Sequence, residues 1–330
     1  MANDFDTLFQ KFSSLKVAVI GDVMLDTYWW GGVERISPEA PVPVVGLHHK
    51  EQRIGGAGNV AINTISLGAE TTLFSVTGDD DEADTLLTLL QQQHIDTKYI
   101  VKSSERITTN KIRIISRNQQ MMRLDSEVSH DILEEDKQNL FNSFSTYVKR
   151  YHPSVVIFED YDKGVLSADL IQAIISLCRE HDIVTTVDPK RKNFLNYHNV
   201  DIFKPNLKEV KEGLNILFKE VDEKLLTQIH TDLNNRIQQK ISLITLSDKG
   251  VFIQKGNYSK LIPTHVRSIA DVSGAGDTVI AVASLVYAAT KDITLAAEIA
   301  NIAGGLVCEE VGTAAIQKDK LLEECKKLIR

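Results

Sequence analysis

DVSGAGDTVIAVA, residues 271–283, joins a turn of small residues to an almost unbroken apolar segment. This pattern predicts a tight turn that leads into a buried helix. The first N–H groups of a helix lack partners within it and, with the helix dipole, favour a phosphate or a developing negative charge. Gly274, Ala275 and Gly276 are therefore predicted to hold an anion. Asp277 would be a carboxylate kept ionised at the same positive end, ready to accept a proton from an alcohol.

A simpler interpretation of the same segment stays open, in which Asp277 only caps a helix after a glycine turn. The segment is not the GxxxxGK[ST] phosphate loop, because no lysine follows the glycines. It is also not GxGxxG after a strand, which disfavours a dinucleotide-dependent dehydrogenase. Positioning and charge neutralisation do most of the catalysis in phosphoryl transfer, and the segment suits that chemistry.

Short β-branched, apolar segments recur along the chain and predict buried strands. They lie at 16–20, 71–76, 154–158, 183–187, 200–203 and 241–246. Helices are predicted at 81–93, 131–149, 166–181, 220–239, 275–289, 293–308 and 317–328. This alternation predicts an α/β fold whose mostly parallel central sheet carries helices on both faces. Ligands of such sheets bind at the carboxyl ends of the strands.

Two segments, at about 27–47 and 106–124, interrupt this alternation. The first carries TYWWGG and PVPVV, and the second alternates polar and apolar residues for much of its length. Both patterns are typical of exposed antiparallel strands. We expect them to form a small β-sheet lid on a single domain that covers residues 1–330. Their exposed strand edges also favour pairing of two lids in a homodimer.

A second glycine cluster, GGAGN at 55–59, precedes another predicted helix. Gly55 and Gly56 would let the backbone approach a ligand closely, and Asn59 offers both a donor and an acceptor. Asp22 and Asp26 follow the first predicted strand. Two carboxylates beside an asparagine are suited to gripping adjacent sugar hydroxyls, although capping or solvated aspartates after a glycine turn would give the same pattern.

Composition excludes several classes of protein. The 330 residues carry a formal net charge of −8, which disfavours general binding to nucleic acids or anionic membranes. The acidic, polar first residues do not resemble a secretion signal. The longest apolar segment, 279–289, is shorter than the ~20 residues that cross a bilayer. These features predict a cytoplasmic protein.

The two glycine clusters, in this order, resemble the two signatures of the ribokinase-like family of carbohydrate kinases. GDVMLD at 21–26, GGAGN at 55–59, NLKE at 206–209 and SGAGDT at 273–278 all occur in the family's order. The resemblance extends from about Lys16 to Ile316 and implies a ribokinase-like fold with ATP and Mg²⁺ as cofactors. It leaves open whether a monovalent cation assists.

The resemblance also implies roles for individual residues. Asp277 would be the catalytic base, with the N–H groups of Gly274 to Gly276 around the transferring phosphoryl group. Asp22, Asp26, Gly55, Gly56 and Asn59 would bind the sugar. Glu209 would organise magnesium, through water if not directly. The nucleotide would contact Lys190, Asn206, Leu207, Lys208, Glu209, Thr245, Ser247, Gly250 and Asn301.

Within the family, the chain is most similar to the kinases that act on the anomeric hydroxyl of D-glycero-β-D-manno-heptose 7-phosphate, on the route to ADP-heptose and lipopolysaccharide. ERISPEAPVPVV at 34–45, SRNQQMMRLD at 116–125 and DYDKG at 160–164 carry this similarity. These kinases are often fused to a cytidylyltransferase-like domain. Because this sequence ends at residue 330, we expect that activity from a separate nucleotidyltransferase.

An acidic protein needs a local group of cations to bind the 7-phosphate. The candidates are Lys111, Arg113, Arg117, Arg123 and Lys163, with the arginines favoured for their planar, two-pronged geometry. Alternation along a strand predicts that they do not all face one way. The alternatives are a kinase for ribose or fructose phosphate and, from another class, a sugar-binding regulator without catalysis.

Overall fold

The computed structural model describes residues 4–117 and 119–329. Within this part of the chain thirteen strands and ten α-helices form. Their order is α1 (Phe5–Lys11), β1 (Lys16–Gly21), β2 (Val23–Ile36), β3 (Pro43–Gly56), α2 (Ala57–Ser66), β4 (Glu70–Gly78), α3 (Asp81–Gln92), β5 (Ile100–Ser103), β6 (Asn110–Ser116), β7 (Gln119–Ser126), α4 (Glu134–Tyr151), β8 (Val155–Glu159), α5 (Ala168–Glu180), β9 (Val184–Asp188), β10 (Ile202–Phe203), α6 (Leu207–Leu214), α7 (Glu223–Ile237), β11 (Ile241–Thr245), β12 (Val251–Lys255), β13 (Tyr258–Ile262), α8 (Ala275–Thr290), α9 (Ile293–Val307) and α10 (Lys318–Leu328).

Nine strands form the main sheet in the order β13-β12-β11-β10-β9-β8-β1-β4-β5. The pairs from β11 to β5 are parallel, whereas β12 and β13 return antiparallel at one edge. The predicted mostly parallel sheet is therefore confirmed. The sequence analysis did not identify β5, β12 and β13, which are short or lie at the sheet edges.

Both faces of the main sheet are covered, as the apolar strand sequences predict. In β1, Val17 and Val19 belong to one buried cluster with α2, α8 and α9, whereas Ala18 and Ile20 belong to another with α4, α5 and α7. Because successive side chains of a strand point to opposite faces, an unbroken apolar strand requires helices on both sides. The two predicted helical layers are therefore present.

The second sheet has four strands in the order β3-β2-β6-β7. Its strands cover the two segments predicted to form a small sheet. The prediction of antiparallel strands holds for β2–β3 and β6–β7 but is wrong for β2–β6, which pair in parallel. The physical reason is that β2 and β6 both leave the main sheet beyond the carboxyl ends of its strands, so they run outward in the same direction.

No helix within the described residues is both long enough and apolar enough to cross a membrane.

Candidate active site

Four charged side chains converge at the carboxyl ends of neighbouring strands. Glu159 ends β8, Asp188 ends β9, Lys204 follows β10, and Asp277 lies in the first turn of α8. All four are buried. Carboxylate oxygens of Glu159, Asp188 and Asp277 lie within 4.8 Å of one another. The parallel sheet therefore collects three acids and a lysine where its ligands are expected to bind.

The turn before α8 needs glycine at position 274. Gly274 has φ +77°, and a Cβ added there would lie 2.8 Å from Nδ2 of Asn59. Only glycine adopts this conformation without cost and allows the two glycine clusters to approach so closely. The residues from Asp277 to Tyr287 are all buried, which confirms the predicted buried helix. The first turn of α8 thus faces the acids with its positive end.

Two donors hold the carboxylate of Asp277. Nδ2 of Asn59 donates to Oδ2 at 2.7 Å, and the hydroxyl of Tyr161 donates to Oδ1 at 2.8 Å. Burial raises the pKa of Asp277 above its ordinary value, and the bonds from Asn59 and Tyr161 act in the opposite direction. A carboxylate can accept further hydrogen bonds beyond these two. Asp277 is therefore oriented and still able to take a proton.

Glu159 is the least compensated of the three acids. Neither of its carboxylate oxygens has a hydrogen-bond partner within the described residues. Burial raises the pKa of Glu159 well above its usual range, and the nearby charges of Asp188 and Asp277 raise it further. Nζ of Lys204 lies 2.8 Å from Oδ2 of Asp188 and neutralises part of the cluster. The oxygens that remain have the chemistry that magnesium prefers.

NLKE at 206–209 forms the start of α6. The backbone N–H of Glu209 donates to Oδ1 of Asn206 at 2.9 Å, and the N–H of Asn206 donates to Oε2 of Glu209 at 2.8 Å. This reciprocal pair is a capping box. The other oxygen of Glu209 accepts a hydrogen bond from Nζ of Lys190 at 2.5 Å. Glu209 is thus outside the three-acid cluster, and its role in organising magnesium stays a prediction.

A cavity of about 710 Å³ lies beside this cluster, between α6, β11 and the start of α8. Seven of the residues predicted to contact nucleotide line it: Asn206, Leu207, Lys208, Thr245, Ser247, Gly250 and Asn301. Ala275 and Gly276 line it as well, so the cavity ends at the predicted anion-binding turn. Apolar side chains that the sequence analysis did not identify complete it: Val251, Val266, Ile269, Val272 and Val279.

The carboxylate of Asp22 accepts three backbone N–H groups. Its oxygens accept N–H groups of Tyr161 at 2.8 Å, Lys163 at 3.1 Å and Val165 at 3.1 Å. The side chain is buried, and burial raises the pKa of Asp22 although these N–H groups act to lower it. Asp22 therefore anchors the 161–165 loop, and its contact with sugar hydroxyls stays a prediction.

Asp26 and the two glycines lie where β2 and β3 meet the main sheet. Arg113 on β6 donates to Oδ1 of Asp26 and lies 5.3 Å from the ring centre of Tyr28. A Cβ at Gly55 would lie 2.5 Å from Oδ2 of Asp26, and one at Gly56, where φ is +59°, would lie 2.2 Å from a backbone oxygen. Both glycines are therefore required by close packing.

Most of the predicted phosphate-binding cations already have acidic partners. Lys111 and Lys163 each donate to Glu127 at 2.9 Å. Arg123 makes a two-pronged contact with Asp125, at 2.8 and 2.9 Å. These carboxylates balance the local positive charge, so a phosphate would have to compete with them or displace them.

Three of the predicted phosphate-binding cations share one face of the small sheet. Arg113 lies directly opposite Arg123 in the pairing of β6 with β7, and Lys111 lies two residues from Arg113. Directly opposed residues and residues two apart point to the same face of a sheet. Arg117 lies in the exposed turn between β6 and β7, away from this group.

The sequence analysis missed Tyr161, Glu159, Asp188 and Lys204 as site residues. One signal was present: each of the last three comes at the carboxyl end of a predicted strand. Polar residues at those positions are expected to face a ligand site. Nothing local marks Tyr161 as a partner of Asp277, because the two residues meet only through the fold.

Comparisons with known proteins agree with this geometry. Residues 14–320 match the family model described as pfkB family carbohydrate kinase. The chain is 39% identical over 309 residues to the bifunctional protein HldE of Aliarcobacter butzleri, covering 93% of this chain and 63% of that protein. It is 40% identical over 312 residues to the HldE of Nitrosococcus oceani, covering 94% and 64%. The chain thus spans less than two thirds of the length of these relatives.

Solved structures show the same fold. Phosphofructokinase-2 from Escherichia coli in complex with potassium matches with a TM-score of 0.78 at 15% identity, covering 95% of this chain and 98% of that one. Arabidopsis thaliana ribokinase complexed with ribose and ATP matches with a TM-score of 0.73 at 14% identity, covering 94% and 99%. The predicted ribokinase-like fold is confirmed.

Proposed function

Because the chain belongs to the pfkB family of carbohydrate kinases, we propose that it transfers the γ-phosphate of ATP to the anomeric hydroxyl of D-glycero-β-D-manno-heptose 7-phosphate, giving the 1,7-bisphosphate. The sequence motifs at 34–45, 116–125 and 160–164 support this choice of substrate. Relatives that are themselves named bifunctional agree with it, since heptose 7-phosphate kinases are often fused to a nucleotidyltransferase domain. After hydrolysis of the 7-phosphate, a nucleotidyltransferase would act on the remaining 1-phosphate to give ADP-heptose.

One observation carries the proposal: Asp277 lies at the positive end of α8, where the nucleotide-sized cavity meets the acids. As the base, Asp277 would take the proton of the sugar hydroxyl while that oxygen attacks the γ-phosphorus and the bond to the bridging oxygen breaks, which releases ADP. Asn59 and Tyr161 hold its two oxygens in place during this step. The N–H groups at Gly274 to Gly276 would stabilise charge on the transferring phosphoryl group.

The nucleotide would occupy the cavity of about 710 Å³. Its phosphates would approach Ala275 and Gly276, and its base would lie among the apolar side chains near Asn301. Lys190, which is paired with Glu209 at the edge of the acid cluster, would contact a phosphate oxygen. Volume and lining suit an adenine nucleotide, because ligand pockets of this size combine apolar walls with a few polar groups.

Magnesium fits the residues that are present. Glu159 and Asp188 offer buried oxygens beside Asp277, and their mutual repulsion would be relieved by a divalent cation. Glu209 would act through water, because both of its oxygens are already engaged. When bound, magnesium would neutralise phosphate charge in the transition state. Whether a monovalent cation assists is also open to test, since a solved structure of the same fold contains potassium.

The sugar would bind between the two sheets, against Asp26, Gly55, Gly56 and Asn59. Its 7-phosphate would approach the face of the small sheet that carries Lys111, Arg113 and Arg123, with Lys163 nearby. Arg113 is the favoured contact among these because it is partly buried beside Asp26 and can make two parallel bonds to a phosphate.

A panel assay tests the substrate. ADP release is measured with heptose 7-phosphate, ribose and fructose 6-phosphate, and the heptose phosphate should have the highest catalytic efficiency. A higher efficiency with ribose or fructose 6-phosphate would assign the chain to another substrate of the family. Sugar binding by calorimetry without turnover would instead indicate a regulator.

The Asp277→Asn variant tests the base. It should lose roughly 10²–10⁴ in kcat, because general-base catalysis contributes about that much. Asp292→Asn is a matched control, since Asp292 also lies at the start of a helix but caps α9 away from the acids. A folded Asp277→Asn protein as active as the control would refute the mechanism.

The small sheet also supports the proposal of a homodimer. Exposed apolar side chains lie on its strands and their connection: Ile36, Val42, Leu47, Met121, Met122 and Leu124. Burying them against a second copy would remove apolar surface from water. Light scattering at micromolar concentration should give the mass of a dimer, and a monomer mass would contradict the proposal.

A further inference from the structure

A second cavity, of about 430 Å³, lies at the amino ends of the parallel strands of the main sheet, whereas the acids lie at their carboxyl ends. It lies beside the first residue of β9, the residue before β11, and the last residues of β12 and α8. Its lining is Arg179, Asp182, Ile183, Val184, Asp201, Lys240, Lys255, Tyr287 and Lys291. None of these residues takes part in the kinase site described above.

The charge of this cavity is opposite to that of the whole chain. Four of the lining residues are cations and two are carboxylates, in a protein with a formal net charge of −8. Asp201 is already engaged, by Lys240 at 2.7 Å and by the N–H of Thr185 at 2.8 Å. Within residues 4–117 and 119–329, the remaining cations Arg179, Lys255 and Lys291 form no ion pair. Asp182 is the one lining carboxylate that is also outside an ion pair among the described residues, so three cations and one carboxylate leave a net charge of about +2 in the cavity.

Lys255 and Lys291 both lie near the aromatic ring of Tyr287. Their ammonium groups are 6.0 and 5.6 Å from the ring centre of Tyr287. Burial lowers the pKa of Lys291, and the charge of Lys240 lowers it further, although Asp201 acts in the opposite direction. A negatively charged ligand would relieve this excess positive charge. Lys291 at the end of α8 and Arg179 in the last turn of α5 also suit the helix dipoles, but that role does not account for Lys255.

We propose that this cavity binds a small organic molecule that carries a doubly negative phosphate group. The unpaired cations would bind the phosphate, since charge-assisted hydrogen bonds to phosphate are stronger than neutral ones. The organic part would cover Tyr287 and the apolar side chains of Ile183 and Val184. The volume lies within the range of small-molecule sites.

The site is connected to the acid cluster by two continuous elements. α8 carries Asp277 in its first turn and Tyr287 near its end, and β9 runs from Val184 in the cavity to Asp188 in the cluster. About three helical turns separate the two ends of α8. A ligand in the cavity therefore contacts the same helix and strand that position the acids.

Calorimetric titration with phenyl phosphate tests the proposal at near-physiological salt. The full chain is used, with the nucleotide cavity filled by a non-hydrolysable ATP analogue and magnesium. The test variant is Lys255→Gln with Lys291→Asn, because Lys291 has φ +59° and asparagine tolerates that conformation. Lys219→Gln with Lys224→Asn removes the same charge elsewhere and serves as the control. Lys111→Gln with Arg123→Gln removes cations of the small sheet.

Phenyl phosphate should bind the parent and the control with equal affinity, and the test variant at least about tenfold more weakly. The variant of the small sheet should retain binding in this cavity. Three results would overturn the proposal: no binding to the parent, equal binding to the test variant and the control, or loss of binding only in the variant of the small sheet. Thermal unfolding of each variant confirms that the fold is intact.

Discussion

The hydroxyl of Tyr161 donates to Asp277 across a distance of 2.8 Å, and its removal in Tyr161→Phe tests how the base is tuned. A hydrogen bond to a charged group contributes about 1.5–3 kcal/mol. Losing the bond should therefore raise the pKa of Asp277 above its value in the parent. The sign follows from the bond itself, which favours the ionised form and so opposes the effect of burial.

The assay is the pH dependence of kcat/KM, followed by ADP release. Asp277 must be ionised to accept the proton, so the acidic limb of the profile should move to higher pH in Tyr161→Phe. At pH values above that limb the loss of rate should be smaller than at low pH. Tyr258→Phe is a matched control, because Tyr258 is exposed and its hydroxyl bonds only to Thr294 within the described residues. Superimposable profiles for Tyr161→Phe and the parent would refute the tuning of Asp277 by this bond.

Three further predictions concern stability and nucleotide binding. Gly56→Ala should lower the free energy of unfolding, measured in urea, more than Gly256→Ala does. Both glycines have left-handed φ values, but only a Cβ at position 56 would clash with the backbone. Equal losses in the two variants would contradict this. Asn206→Ala and Asp222→Ala should each cost about 1 kcal/mol as lost helix caps, whereas only the first should weaken ATP binding in calorimetry. Burial raises the pKa of Asp160 to about 7, so the folded state holds a proton that the unfolded state releases, and stability should fall as pH rises from about 4 to about 7. In Asp160→Asn the unfolding free energy should no longer fall over this pH range. An unchanged slope would show that Asp160 is not its cause.

The sequence predicted those parts of the site that depend on local chain geometry. Gly274 and Asp277 were identifiable because a glycine turn and the helix after it are adjacent in sequence. The same holds for Asn206 and Glu209, which are three residues apart and form a capping box. Strand positions followed from short, unbroken apolar segments, which require burial on both faces of the sheet.

Contacts between distant segments were not predictable in this way. Asp22 and the 161–165 loop are far apart in sequence, so nothing local showed that backbone N–H groups would occupy that carboxylate. The parallel pairing of β2 with β6 likewise depends on where both strands leave the main sheet. The chemistry of single residues indicated which side chains could bind a ligand. Only the fold determined which of these side chains are already hydrogen-bonded within the protein.

The engagement of Asp22 has a consequence for motion. β2 starts one residue after Asp22, and Asp22 is bonded to the loop that also supplies Tyr161. The start of the small sheet is therefore held against the 161–165 loop beside the acids, and a hinge at this point would break several buried hydrogen bonds. Any opening of the space between the two sheets must come from bending of the small sheet at a greater distance from Asp22. There the pairing of β2 with β3 is irregular, at Trp30/Gly31 and Val33/Arg35. The outer half of the small sheet can then move while the groups around Asp277 keep their positions.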